Sequence, residues 1–154
     1  AADRWGAPDN PGMVSFFRMA TRERVRVRIL QRNGQPRRAA IRRLAHLFRD
    51  RRSNTEQAPS TRLLQMLSRI SDHFGGRVIT VMSGYREPGG NTRETSRHTT
   101  ADAVDLRIQG VPNRELVRYL RTLPNCGVGF YPDDSFVHFD VRDRKAYWVG
   151  EGSE

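Results

Sequence analysis

The sequence predicts an α+β domain: a mostly antiparallel sheet with helices packed on it. Three observations lead there. Short segments of alternating or continuous apolar character cluster at both ends of the chain, two longer segments between them place apolar residues at helical spacing, and a third helical segment interrupts the later strands. Strands, two helices, then strands with one inserted helix is an α+β order rather than a regular βαβ alternation.

Residues 1–11 form a polar N-terminal arm, and 12–154 are read as one domain, since 154 residues suffice for one core and are too few for two comfortable ones. The run GMVSFFRM reads as a short strand. In ERVRVRIL, Val25, Val27 and Ile29 alternate with Arg24, Arg26 and Arg28, giving a strand with an apolar face and an arginine face. After the turn RNGQP, Ile41, Leu44, Ala45 and Phe48 mark a helix with arginines on its opposite side. A polar linker, RRSNTEQAPS, leads to Ser60, placed to cap a helix that turns Leu63, Leu64, Leu67, Ile70 and Phe74 inward. Gly75-Gly76 ends it. RVITVM is an interior strand, SGYREPGGNTRETSRHTT a long loop of the kind that carries function, and AVDLRI a further strand. PNRELVRYLRTL is the inserted helix, and GVGFYP and SFVHFDV form a strand pair around a turn at Pro132-Asp133-Asp134.

The net charge is +10, from 27 basic and 17 acidic residues. All but Lys145 of the basic residues are arginine. Residues 1–77 carry a net charge of +11 and residues 78–154 a net charge of −1. Such a basic half favours an anionic partner: nucleic acid, anionic lipid or an anionic cell-wall polymer. A solvated arginine face is the competing reading. No helix-turn-helix, zinc-finger or aromatic-interleaved platform accompanies the arginines, so nucleic acid is disfavoured. No apolar run reaches membrane-span length. The single cysteine, Cys126, excludes an intramolecular disulfide and a thiolate metal cluster and reads as a small semi-buried residue. His46 and His73 lie in helices and read as surface or structural residues.

The chemistry gathers elsewhere. In SFVHFDV, Val137, Phe139 and Val141 face the core, which turns His138 and Asp140 to the other side. In AVDLRI, Val104, Leu106 and Ile108 take the core, which turns Asp105 and Arg107 away. If the two strands are neighbours, Asp105 and His138 meet, and His98 arrives from the long loop. Two histidines and one carboxylate suit a zinc ion that keeps one position for water. The spacing alone leaves open a loop histidine and an ordinary strand-end acid.

Three motifs in order, SGYR at 83–86, SRHTTADAVD at 96–105 and GVGFYPDDSFVHFDV at 127–141, resemble the zinc D-alanyl-D-alanine peptidase family, within the hedgehog/D-Ala-D-Ala peptidase superfamily. The likeness is greatest to its murein endopeptidase branch and spans roughly residues 12 to 148, RLAHLFRD included. The resemblance implies that His98, Asp105 and His138 ligate zinc (Zn2+) and that Arg86 contacts the substrate or a developing oxyanion. A loop-bracing role is the alternative for Arg86. Ser96 is read as holding the ligand loop. Two positions depart from the pattern. The family glycine in S-x-H-x-x-G falls on Ala101, which matters if the backbone there needs φ > 0. The glutamate three before the last ligand falls on Ser135, which leaves Asp133 and Asp140 level as general base, with Asp134 behind them. Asp140 is equally read as an acceptor that orients His138. Phe130, Tyr131, Tyr147 and Trp148 divide between cleft lining and core.

The resemblance therefore implies a periplasmic or secreted murein endopeptidase acting on peptidoglycan stem peptides or cross-links, with the arginine half docked on the anionic envelope. Carboxypeptidase or dipeptidase action is one alternative, with Arg86 or Arg142 receiving a free carboxylate. A catalytically silent, zinc-containing wall-binding module is the other.

Overall fold

A computed structural model describes residues 4–89 and 96–150; the middle of the long loop, 90–95, lies outside it. The described residues hold seven strands and three helices: β1 (Met13–Arg18), β2 (Arg24–Arg28), α1 (Arg38–Leu47), α2 (Thr61–His73), β3 (Ile79–Ser83), β4 (Ala103–Ile108), α3 (Asn113–Leu120), β5 (Cys126–Phe130), β6 (Val137–Val141) and β7 (Ala146–Val149). A short 3-10 turn, Arg97–Thr100, precedes β4. Among the described residues, no helix is long and apolar enough to cross a membrane.

The strands make one sheet in the order β2-β1-β3-β4-β6-β5-β7. It is mixed, which corrects the expectation of a mostly antiparallel sheet. β1 pairs with β3 and β5 with β7 in parallel, and the other neighbours are antiparallel. The cause is connection length. Both helices α1 and α2 lie between β1 and β3, ample chain for a crossover that a tight hairpin cannot supply. The chain from β5 likewise runs out through β6 before β7 returns along β5's other edge. β7 adds a strand where the sequence shows only the aromatics Tyr147 and Trp148, because four residues at a sheet edge give little alternation to detect.

One face of the sheet is apolar. Val14, Phe16, Ile79, Val81, Val104, Leu106, Val128, Val137 and Phe139 join the inner residues of all three helices in a single core cluster. The helix α2 contributes Leu63, Leu64, Leu67 and Ile70, each stabilising by about 1.5–3 kcal/mol when fully buried. Ser60 caps it as expected, accepting from the Leu63 amide at 3.3 Å. Buried Arg18 closes the C-terminal end of α1 by donating to the carbonyls of Leu47 and Arg49 at 2.8 and 2.7 Å, where the helix dipole favours a cation. The arm is partly folded in: Trp5 packs on Phe74 with ring centroids 5.6 Å apart.

The opposite face carries the polar side chains. Register aligns Ser83 with Asp105, Asp105 with His138, His138 with Gly129, and Gly129 with Trp148. Paired residues point to the same side of a sheet, so a lateral row of these five residues crosses β3, β4, β6, β5 and β7.

Candidate metal centre

Direct pairing of β4 with β6 brings Asp105 and His138 together. His138 Nδ1 lies 3.1 Å from Asp105 Oδ1. His98, on the 3-10 turn, brings Nε2 to 3.3 Å from the same oxygen. These three buried residues each offer one donor atom, all within 4.8 Å of one another. Three ligands about 2.0–2.2 Å from one tetrahedral ion stand roughly 3.3 Å apart. The donor set and its spacing therefore fit zinc.

Neighbouring groups decide which nitrogen faces the cluster. His98 Nδ1 lies 2.7 Å from the Gly84 carbonyl, which only accepts, so the proton sits on Nδ1 and Nε2 keeps its lone pair. His138 Nε2 lies 2.7 Å from Asp140 Oδ2. That carboxylate also only accepts, so His138 keeps the lone pair on Nδ1. Asp140 is fully buried and takes two bonds from Arg142, Nε to Oδ1 at 2.7 Å and Nη2 to Oδ2 at 2.5 Å. Such partners orient ligating histidines and raise their basicity. Burial pushes the Asp105 carboxyl upward, but with protons on both facing imidazole nitrogens the His98 charge and hydrogen bonds from His138 and His98 outweigh it and bring the group down to about 2; a metal ion at the same point would take the place of those two protons. Burial likewise opposes ionisation of Asp140, and hydrogen bonds from Arg142 and His138 hold it below the usual carboxylate range.

Arg86 sits against the cluster. Its Nη2 donates to Asp105 Oδ2 at 3.1 Å and its Nε to Ser83 Oγ at 2.8 Å. The Arg86 backbone amide donates to the His98 carbonyl at 3.1 Å, joining the two loops that carry the site. Ser96 Oγ accepts from the His98 amide at 3.3 Å, as expected for a residue holding that loop. Trp148 forms a wall: its ring lies 5.2 Å from that of His138, and its N–H donates to Tyr131 Oη at 3.0 Å.

A family model described as peptidoglycan L,D-endopeptidase MepK, of the M15 peptidases, matches residues 7–147. The chain belongs to this family of metallopeptidases. A probable peptidoglycan L,D-endopeptidase MepK of Haemophilus influenzae is 32% identical over 143 residues, covering 85% of this chain and 76% of the relative. The peptidoglycan L,D-endopeptidase MepK of Escherichia coli K12 is 31% identical over 108 residues, covering 64% of this chain and 59% of that protein. The chain thus spans somewhat over half the length of the second relative. No solved structure matches.

Against this M15 background, the structure brings together His98, Asp105, His138 and Arg86 and sets the acids apart from one another. Asp140 lies across the His138 ring from the ligand cluster. Asp133 is exposed in the turn that the Asp134 amide closes on the Tyr131 carbonyl at 3.0 Å. Asp134 Oδ2 is buried with no hydrogen-bond partner among the described residues. Tyr147 pairs with Val128 and so faces α3, away from the cluster. Three residues escaped sequence reasoning. A Cβ at Gly127 would stand 2.6 Å from Asp140 Oδ1, and one at Gly129 would stand 2.6 Å from Trp148 Nε1. The G-V-G alternation in a strand was the available signal, since a strand glycine often marks close approach. Gly84 is the third: a Cβ there would meet the Phe48 Cβ at 2.6 Å and the Phe48 carbonyl at 2.8 Å. The Ala101 departure has a structural consequence, because this alanine sits at φ +59°, a left-handed conformation that costs a non-glycine residue roughly 1–2 kcal/mol.

Proposed function

We propose that the chain is a zinc-dependent endopeptidase cleaving amide bonds in peptidoglycan stem peptides or cross-links, with His98 Nε2, Asp105 Oδ1 and His138 Nδ1 as the metal ligands. The convergence of three donors from three separate segments on one point carries this reading. Bound there, zinc supplies Lewis acidity toward a carbonyl and makes water acidic near neutral pH. Gly84 and Asp140 keep the two imidazoles in the tautomers the metal needs. Arg86, beside Asp105, is the cation for the negative charge that develops on a peptide carbonyl oxygen under attack. Asp140 acts as a positioning residue, since its oxygens are engaged by His138 and Arg142. The proton-accepting role then falls to the turn acids, Asp133 or Asp134, and the unpartnered Oδ2 favours Asp134.

The engagement of both Arg142 Nε and Nη2 with Asp140 supports endopeptidase action over carboxypeptidase action, because one of the two arginines suited to a terminal carboxylate already holds a site carboxylate with both arms of its fork. A peptidoglycan substrate implies action in the periplasm or outside the cell, where the arginine surface meets an anionic envelope.

The test is metal content and digestion of cross-linked and uncross-linked muropeptides by the wild type and His98→Ala. One zinc per wild-type chain and cleavage of the cross-linked species, both lost in the variant, is the expected result. A stoichiometric metal without any hydrolysis would favour the silent wall-binding module. Metal content unchanged by His98→Ala would refute the ligand assignment.

A further inference from the structure

The polar face of the sheet does not end at the metal centre. Beyond β4 it continues across β3 and β1 to β2, with Phe17 aligned on Thr80, Thr80 on Arg107, and Arg24 on Phe17. A recess of about 350 Å³ opens over this second row, lined by Phe17, Met19, Arg24, Thr80, Arg107 and Gln109 and by the chain just before β3 and at the end of β4.

The recess has the chemistry of an anion site. Its lining includes two arginines and no acid. Neither guanidinium has a carboxylate partner among the described residues, although most arginines near the metal centre have one. Arg24 is held in place from below, its guanidinium carbon 4.7 Å from the Phe17 ring centroid. That stacking leaves the planar fork available for bidentate recognition of a carboxylate. Thr80, only 7% exposed, places a hydroxyl-bearing side chain on the floor between the arginines. The nearest acid on the adjoining turn, Glu23, is engaged by Thr21 and Arg49.

Position ties the recess to the cluster. Asp105 and Arg107 are two residues apart on β4 and point to the same side, about 7 Å apart along the strand. The recess lies one to two strand spacings, about 5–10 Å, further across. An extended peptide of about three residues spans that distance at roughly 3.3 Å per residue.

We propose that this recess is a carboxylate-binding subsite that receives an acidic arm of the peptide cut at the metal centre. This rests on the endopeptidase reading and extends it: the preferred substrate carries a free carboxylate about three residues from the scissile amide. Charge complementarity selects an acidic peptide as the occupant.

The experiment uses two synthetic cross-linked stem peptides, one with free side-chain and terminal carboxylates and one with those carboxylates amidated. Cleavage is followed for the wild type, Arg24→Gln, Arg107→Gln, the double variant and Arg24→Lys. Binding of both peptides is measured by calorimetry on the chelated chain, where no cutting occurs. The double variant is expected to raise KM for the acidic peptide about tenfold, as for the loss of charge-assisted bonds. Its kcat and its handling of the amidated peptide stay unchanged, and Arg24→Lys retains part of the preference. Equal weakening for both peptides, no weakening for either, or wild-type binding without preference for the acidic form overturns the subsite. A wild type that prefers the acidic peptide in calorimetry yet cuts neither overturns the peptidase reading and leaves the subsite standing.

Discussion

Replacing Asp140 by asparagine separates a positioning role from a proton-accepting one. The native carboxylate accepts from His138 Nε2 at 2.7 Å and from Arg142 at 2.7 and 2.5 Å. An asparagine of the same shape has one accepting oxygen and one donating NH2. If the oxygen faces Arg142 Nε, the NH2 faces His138 Nε2. The ring must then accept there, and its proton moves to Nδ1, the atom aimed at Asp105. If the oxygen faces His138, the NH2 opposes the Arg142 donor and the imidazole loses an anionic partner. Zinc affinity should fall about 10–100-fold in either orientation. Breaking one side of a buried ion pair costs about 3–5 kcal/mol. The Arg142 side chain is 22% exposed, so water recovers part of this, and about 2–3 kcal/mol is expected, or a Tm lower by roughly 4–12 °C. The assays are competitive zinc titration, thermal unfolding in excess chelator, and turnover at saturating zinc. A positioning residue predicts that turnover is largely recovered once zinc saturates the variant. A general base predicts a loss of about 10²–10⁴ in kcat that no zinc concentration repairs. Wild-type zinc affinity and stability in Asp140→Asn would refute the tautomer reasoning outright.

Three further outcomes follow from the same geometry. Gly84→Ala drives a methyl into the backbone of Phe48, which cannot rotate away, so thermal unfolding should show a loss of roughly 1–3 kcal/mol and zinc affinity should fall as the carbonyl holding His98 shifts; an unchanged Tm would contradict the close approach. Gly129→Ala displaces the Trp148 indole from the Tyr131 hydroxyl, which should quench or shift tryptophan emission and raise KM, with the fold intact by circular dichroism. Burial pushes the Cys126 thiol up to about 11, so a thiol reagent at pH 8 should label the native chain far more slowly than the unfolded one. The sign for stability follows: above about pH 8.5 the unfolded thiol ionises while the folded one keeps its proton, so this group makes stability fall as pH rises toward 11. A Cys126→Ala variant should flatten that decline.

Much of the fold was legible because its signals are local. Ser60 before an apolar helix, Gly75-Gly76 after it and the Val-Arg alternation of β2 each report on their own neighbourhood. Strand direction does not. Nothing in MVSFFR or RVITVM specifies that β1 and β3 run parallel, because the pairing is set by how α1 and α2 cross between them. The site was legible for a different reason. Each strand shows its core face plainly, so an acid at Asp105 and a histidine at His138 are turned outward by elimination, and only the adjacency of β4 and β6 remained to be found. Asp140 shows where this reasoning stops. Alternation places it on the face of His138, but only the folded structure separates an acid beside the donor cluster from one that sits behind the ring.

The row from Ser83 to Trp148 explains why the chemistry is scattered in sequence and compact in space. One residue from each of five strands meets its neighbour every 4.8 Å or so across the sheet, and residues adjacent in the row lie up to dozens of positions apart in the chain. Such a row must keep its small members small. Gly129 admits the indole beside His138, and Gly127 one step along admits the Asp140–Arg142 pair. Precision at the ligands therefore depends on β5, which contributes no functional group. A substitution that enlarges either glycine disturbs the surroundings of the donors, and it does so through register and volume rather than through chemistry.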